Sequence, residues 1–132
     1  MIVDFHTHVF PAFIRDHRAA FLSRDPAFRA LYSAPEASLV DAETLLRAMD
    51  EQGIERSVVF GFPWEEEDVY RRHNDYIMEA VVRHHPRLIG FCTFSPLSPG
   101  ASAETERCLG AGFQGVGELA VYGSGVTRHI ID

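Results

Sequence analysis

Cysteine and basic residues are both scarce in this sequence, and their scarcity excludes several classes of protein. The two cysteines, Cys92 and Cys108, have neither CxxC nor zinc-finger spacing, so we expect reduced, buried thiols in a cytosolic protein rather than a disulfide scaffold. Lysine and arginine total 12 against 19 acidic residues, giving a net charge of −7. Because nothing supplies a basic stripe, nucleic acid is not expected as a partner.

Long apolar runs are missing as well. No stretch reaches the roughly 20 residues that cross a bilayer, and Asp4, His6 and His8 interrupt the N-terminal region where a signal peptide needs an apolar run. The remaining composition, 46% hydrophobic and 23% charged over 132 residues, is typical of one globular domain. We therefore expect a cytoplasmic location and no membrane partner.

Apolar segments alternate with amphipathic ones along the chain. Strands are predicted near residues 2–8, 54–61, 88–94 and 113–119. Helices are predicted from an Asp41 cap to Gly53, from the acidic run 65–68 to Pro86, and from a Ser102 cap through Leu109. Residues 11–38 form an irregular insertion with a helical piece near 13–22, and this insertion either covers a site or is a packing excursion.

One helix between each pair of strands predicts a parallel sheet with right-handed crossovers. An open doubly wound sheet would place a glycine-rich phosphate loop after its first strand, but residues 9–12 contain no glycine. A barrel instead places ligands at the carboxyl ends of several strands. We therefore predict an α/β fold, the N-terminal (β/α)4 portion of a TIM-type (β/α)8 barrel with parallel strands and outer helices.

The segment around His6 and His8 is the first candidate site. Residues two apart in a strand share a face, so both rings should project together from the end of the first strand, with Asp4 below them and Phe5 facing the covering layer. Two imidazoles on one face can bind a metal ion from one side. The alternative is a pair of surface or hydrogen-bonded core histidines. His73, on the apolar stripe of the second long helix, is interpreted as a packing residue.

The fourth predicted strand carries the second candidate, Glu118. Gln114, Val116 and Glu118 share one face, whereas Phe113 and Gly115 share the other, and Phe113 is better suited to packing under helices. We therefore expect Glu118 inside the barrel, level with the first-strand histidines. The alternative is a buried carboxylate that only makes hydrogen bonds.

Three aromatic residues, Phe62, Trp64 and Tyr122, lie in loops that follow predicted strands. Loops at the carboxyl ends of barrel strands form the binding pocket, so these side chains are predicted to line the pocket of a small-molecule substrate. No charge pattern in the sequence identifies that substrate.

Residues 4–11, DFHTHVFP, resemble the opening of metal-dependent hydrolases of the amidohydrolase superfamily, in particular the amidohydrolase-2 group. The similarity continues over residues 45–53, from 74 through 97, and over 112–118. It covers most of the chain except residues 12–38.

The resemblance implies a distorted (β/α)8 barrel that holds one or two divalent metals, with zinc expected. It makes His6 and His8 first-strand ligands and Glu118 a fourth-strand ligand, with Asp4 supporting the barrel floor or a ligating histidine. The implied reaction is hydrolysis of an amide, ester or lactone by a metal-activated water. Open alternatives are a single-metal decarboxylase of the same group, a PHP-type phosphoesterase and a non-catalytic interaction module or fragment.

The chain also departs from the family pattern. The family contributes further histidines and an aspartate from later strands, so the general base is expected beyond Asp132, and the sequence is interpreted as the N-terminal half of a longer protein. This half alone is expected to be inactive. Its exposed barrel edges are expected to favour homo-oligomers.

Overall fold

Four parallel strands form one sheet in the order β1-β2-β3-β4 in the computed structural model, which describes residues 1–120. The strands are β1 (Val3–His8), β2 (Arg56–Phe60), β3 (Leu88–Cys92) and β4 (Gly115–Val116). The helices are α1 (Ala12–Arg15), α2 (Arg18–Arg24), α3 (Pro26–Tyr32), α4 (Ala42–Gln52), α5 (Glu67–Arg83) and α6 (Ala101–Ala111). Four parallel strands with helices between them agree with the predicted α/β fold and the N-terminal part of a TIM-type barrel, and the helix expected after β4 lies outside the described residues.

The helix ends follow capping chemistry. In α4 the Asp41 carboxylate accepts a hydrogen bond from the backbone N–H of Thr44, and Gly53 ends the helix at φ 70°, as predicted. Helix α6 starts earlier than the expected Ser102 cap. Its first residue is Ala101, because the preceding turn already brings the Ala101 N–H onto the carbonyl of Ser98.

Strand β1 contains a bulge that changes the predicted faces. Asp4 pairs with Ser57 and Thr7 with Val59, so three steps along β1 match two along β2. The Asp4 carboxylate closes the bulge by accepting from the backbone N–H of His6 at 3.0 Å. An extra residue breaks the two-residue alternation of a strand. The expectation that Phe5 packs into the covering layer is wrong for residues 1–120, where its side chain is 70% exposed.

The insertion after β1 folds into the three short helices α1 to α3, and their aromatic side chains form one cluster with the loop after β2. The Phe28 ring lies 4.7 Å from the Trp64 ring and 5.4 Å from the Phe62 ring, measured between centroids. Arg24 pairs with Glu66 at the rim of this contact. Of the two interpretations of the insertion, these contacts support the packing excursion.

A buried histidine on α5 joins this aromatic cluster to the sheet. His73 accepts a hydrogen bond at Nδ1 from the indole N–H of Trp64 (2.9 Å), and its Nε2 donates to the carbonyl of Val9 (2.7 Å). Both ring nitrogens are satisfied by a neutral imidazole, and burial lowers the pKa of His73 to about 4. The sequence-based interpretation of His73 as a packing residue is confirmed.

The low pKa of His73 predicts loss of stability in mild acid. In the unfolded chain this ring has the ordinary pKa of 6.5, so between pH 6.5 and about 4 the unfolded state binds the extra proton. The contribution of His73 is therefore complete above pH 6.5 and declines as the pH falls toward 4. We expect the free energy of unfolding to drop by about 2 kcal/mol between pH 7 and pH 5 from this residue alone.

Urea unfolding at the two pH values checks this expectation. The His73→Gln variant should lose that part of the pH dependence, whereas the control His17→Gln, at an exposed position, should retain it. Equal pH dependence in all three proteins would contradict the prediction. If His73→Gln does not fold, an NMR titration of the wild-type ring decides, since a midpoint near 6.5 would contradict it as well.

Candidate metal centre

The candidate site lies at the carboxyl edge of the sheet. There the side chain of Glu118, which follows β4, approaches those of His6 and His8 on β1. Nε2 of His6 is 2.9 Å from Oε2 of Glu118, and Nε2 of His8 is 3.6 Å from the same oxygen. Among residues 1–120 these three side chains form the one group of at least three His, Cys, Asp or Glu residues with candidate ligand atoms within 4.8 Å of one another. The structure thus brings together the three residues that the sequence singled out.

Glu118 reaches this position by a route that the sequence did not predict. The strand pairing of β4 ends at Val116, which packs against the helix-covered core, and a side chain at Gly115 would meet the ring of Phe91. The predicted faces of these two residues are therefore wrong. Beyond them Gly117 has φ 141°, a conformation that favours glycine, and the chain turns so that Glu118 still faces the histidines.

The ring of His8 is held by the neighbouring strand. Its Nδ1 lies 2.7 Å from the carbonyl oxygen of Gly61. Because a carbonyl only accepts, Nδ1 carries the hydrogen, and the lone pair of the neutral ring sits on Nε2, toward Glu118. Burial lowers the pKa of His8 and outweighs the opposing effects of the Gly61 carbonyl and Glu118, which favours this neutral form.

The ring of Phe60 packs against both imidazoles. Its ring centroid lies 4.6 Å from that of His8 and 5.2 Å from that of His6, in edge-to-face contacts, and the side chain is buried. Phe60 was not predicted as a site residue, because its position in an apolar strand is typical of a core side chain. The β1–β2 register pairs Phe60 with His8, and this pairing brings the Phe60 ring next to the two imidazoles.

The two separations from the Glu118 carboxylate are compatible with ligands of one metal ion. Ligand atoms of a tetrahedral site with bonds near 2.1 Å are about 3.4 Å apart, and the two measured separations, 2.9 and 3.6 Å, bracket that value. The lone pair of His8 Nε2 and the carboxylate of Glu118 are both acceptors. A proton or a metal ion between these two acceptors would remove their mutual repulsion.

Other predicted site residues lie elsewhere. The side chains of Phe62 and Trp64 are 2% and 1% exposed within the aromatic cluster, so the structure does not offer them to a substrate. The helices of the insertion, which the sequence could not place, cover them. Tyr122 lies outside the described residues. Asp4 contributes its hydrogen bond to the His6 backbone, in line with its expected supporting role.

Comparisons with known proteins identify the fold. A 5-carboxyvanillate decarboxylase from Novosphingobium aromaticivorans, solved with manganese and 4-hydroxy-3-methoxy-5-nitrobenzoic acid, matches 88% of this chain at 20% identity and a TM-score of 0.68. A mutant of that enzyme, also with manganese, matches equally well, with the same identity and TM-score. A 4-oxalomesaconate hydratase from Rhodopseudomonas palustris matches 86% at 21% identity and a TM-score of 0.56.

This chain spans only about 40% of the length of each of these structures. No family model and no curated protein matches the sequence. At such low identity the likeness establishes the barrel fold. Among residues 1–120, no helix is both long and apolar enough to cross a membrane.

The packing around Gly61 generates a stability prediction. A Cβ atom at this position would lie 2.7–2.8 Å from three ring atoms of His73. Gly61→Ala should therefore lower the free energy of unfolding by about 1–3 kcal/mol, the usual effect of overpacking. The control is Gly110→Ala, where a Cβ meets nothing within 4 Å, and it should be neutral or slightly stabilising in α6. Urea unfolding measures both, and wild-type stability of Gly61→Ala would contradict the prediction.

Proposed function

We propose that this chain provides the first part of the metal centre of a metal-dependent enzyme of the amidohydrolase type. In this centre Nε2 of His6, Nε2 of His8 and the carboxylate of Glu118 bind one divalent ion. The observation that carries the proposal is the convergence of these three atoms at 2.9 and 3.6 Å, with the His8 lone pair turned inward by the Gly61 carbonyl.

Two imidazoles and one carboxylate suit zinc and also the other borderline first-row ions. We propose zinc or manganese, the latter supported by the manganese in two structures with this fold. The three atoms that converge here define a position for one ion. A carboxylate has a second oxygen, so Glu118 also has the capacity to bridge to a second ion.

A divalent ion at this position would supply Lewis acidity, polarising a substrate oxygen and lowering the pKa of a bound water. The side chains of this half of the site bind and position the ion. His6 and His8 would hold the ion, Phe60 packs edge-to-face against both of their rings, and Asp4 fixes the backbone of His6. No fourth His, Cys, Asp or Glu within residues 1–120 joins the group. The general base is therefore expected from another part of the complete enzyme.

For the complete enzyme, hydrolysis of an amide, ester or lactone is the first candidate reaction. Decarboxylation of a small aromatic acid is the second candidate, and a specific observation favours it. Two of the structures that share the fold are of a 5-carboxyvanillate decarboxylase with a bound nitrobenzoic acid. A divalent ion here would serve either reaction in a different way. In hydrolysis it would stabilise the negative charge that develops on the carbonyl oxygen. In decarboxylation it would bind and orient the substrate, while the electrons of the broken C–C bond pass to the ring and a proton replaces the departing CO2.

Metal titration of the 132-residue chain tests the proposal. Calorimetry with Mn²⁺ or Zn²⁺ should show one strong site, and His8→Ala and Glu118→Gln should each weaken binding at least tenfold because each removes a ligand. His17→Ala is the matched control, since this exposed histidine lies outside the group. Undiminished binding in His8→Ala and Glu118→Gln would contradict the proposal.

The metal-loaded chain alone is expected to show no appreciable turnover. Three ligands without a general base leave a water molecule incompletely held and without a proton acceptor. Assays with a nitrophenyl ester, a lactone and 5-carboxyvanillate measure this. Robust metal-dependent turnover by the 132-residue chain, lost in the double variant His6→Ala/His8→Ala, would show that the site is complete as it stands.

A further inference from the structure

A buried hydroxyl holds the main chain at Glu118. Beyond the end of β4 at Val116, the Thr93 hydroxyl donates to the carbonyl oxygen of Glu118 at 2.6 Å, and the N–H of Gly117 donates to the carbonyl of Cys92 at 2.9 Å. Thr93 is 1% exposed and directly follows β3. These two bonds fix the backbone from which the Glu118 carboxylate extends toward the histidines.

Thr93 is itself held by a side chain of α5. The amide of Asn74 binds both backbone groups of Thr93, accepting from its N–H at 3.0 Å and donating to its carbonyl at 3.0 Å. Asn74 is completely buried. A primary amide that bridges both groups of one residue continues the hydrogen-bond pattern of a strand, and it leaves Thr93 little freedom.

An ion pair between the buried carboxylate of Glu104 and the partly exposed guanidinium of Arg107 orients the Asn74 amide. Its Nδ2 also donates to Oε2 of Glu104 at 2.8 Å, and Glu104 is bound by Arg107 through Nε at 2.6 Å and Nη2 at 2.9 Å. Burial alone would raise the pKa of Glu104, but the hydrogen bonds from Arg107 and Asn74 outweigh it and lower the pKa. Glu104 therefore stays ionised and acts as a fixed acceptor.

The members of this network are buried except at its Arg107 end, where the side chain is 34% exposed. A network whose hydrogen bonds are all satisfied restricts its members to one geometry. Here the network leads from α6 through α5 to the carboxyl end of β3, and its last hydrogen bond reaches Glu118.

We propose that Thr93 is a positioning residue for Glu118, and that Asn74 and the Glu104–Arg107 pair hold Thr93 in place. The inference rests on the proposed function, because it takes Glu118 to be a metal ligand. Thr93 acts through the backbone of Glu118 and does not itself bind the ion.

The test compares three variants of the 132-residue chain. Thr93→Val keeps the shape of the side chain and removes the hydroxyl, while Thr93→Ser keeps the hydroxyl. Thr105→Val is the matched control, since Thr105 also donates its hydroxyl to a backbone carbonyl, that of Ala101, within α6. Two readouts are taken: affinity for Mn²⁺ by calorimetry, and amide hydrogen exchange of residues 114–120 without metal.

We expect Thr93→Val to bind Mn²⁺ about tenfold more weakly, the usual effect of removing an outer hydrogen bond from a metal site. The amide of Gly117 should exchange faster in that variant. Thr93→Ser and Thr105→Val should match the wild type in both readouts. The inference is overturned if Thr93→Val retains both wild-type affinity and wild-type exchange, or if Thr93→Ser is impaired as much as Thr93→Val.

The two proposals fail in different ways. A wild-type chain that binds no Mn²⁺ overturns the proposed function, and with it the ligand role of Glu118. In that case faster exchange at Gly117 in Thr93→Val still supports the claim that Thr93 orders this segment. If the wild-type chain binds Mn²⁺ strongly and Thr93→Val has the same Mn²⁺ affinity and the same amide exchange, only the positioning role of Thr93 is overturned.

Discussion

The hydrogen bond between His8 and the carbonyl of Gly61 is the interaction on which the candidate site depends. It fixes the hydrogen on Nδ1, turns the lone pair of Nε2 toward Glu118, and joins the end of β1 to the end of β2. Without it the ring would be free to present either nitrogen. A carbonyl at the end of a parallel strand is well suited to this task, because the next strand leaves it without a ladder partner there.

Gly61 also connects the site to the core of the molecule. Its carbonyl binds His8, while its Cα packs so closely on the His73 ring that a side chain would clash. His73 in turn binds the carbonyl of Val9 and the indole of Trp64. The candidate metal site and the aromatic cluster under the insertion are therefore joined through one glycine, and a substitution in either should affect the other.

The proximity of His6, His8 and Glu118 was expected because barrels place ligands at the carboxyl ends of several strands, although the faces predicted for Gly115 and Val116 were wrong. Local patterns in the sequence were sufficient for the order of strands and helices and for the caps of α4. These features depend on residue spacing and short-range chemistry. Two features depend on the register between strands, which residue spacing does not encode. They are the bulge in β1, beside which Phe5 is exposed, and the faces of Gly115 and Val116, which are opposite to those predicted. Burial of Phe62 and Trp64 depends on helices more than 30 residues away in the sequence, as the Phe28–Trp64 contact shows.

Anomalous diffraction from crystals of the chain soaked in Mn²⁺ directly tests whether His6, His8 and Glu118 bind one ion, because it locates the ion and its ligands at once. A single strong anomalous peak is expected about 2.0–2.2 Å from Nε2 of His6, Nε2 of His8 and a carboxylate oxygen of Glu118. A peak elsewhere, or no peak at saturating Mn²⁺ while Glu118 remains paired with His6, would contradict it.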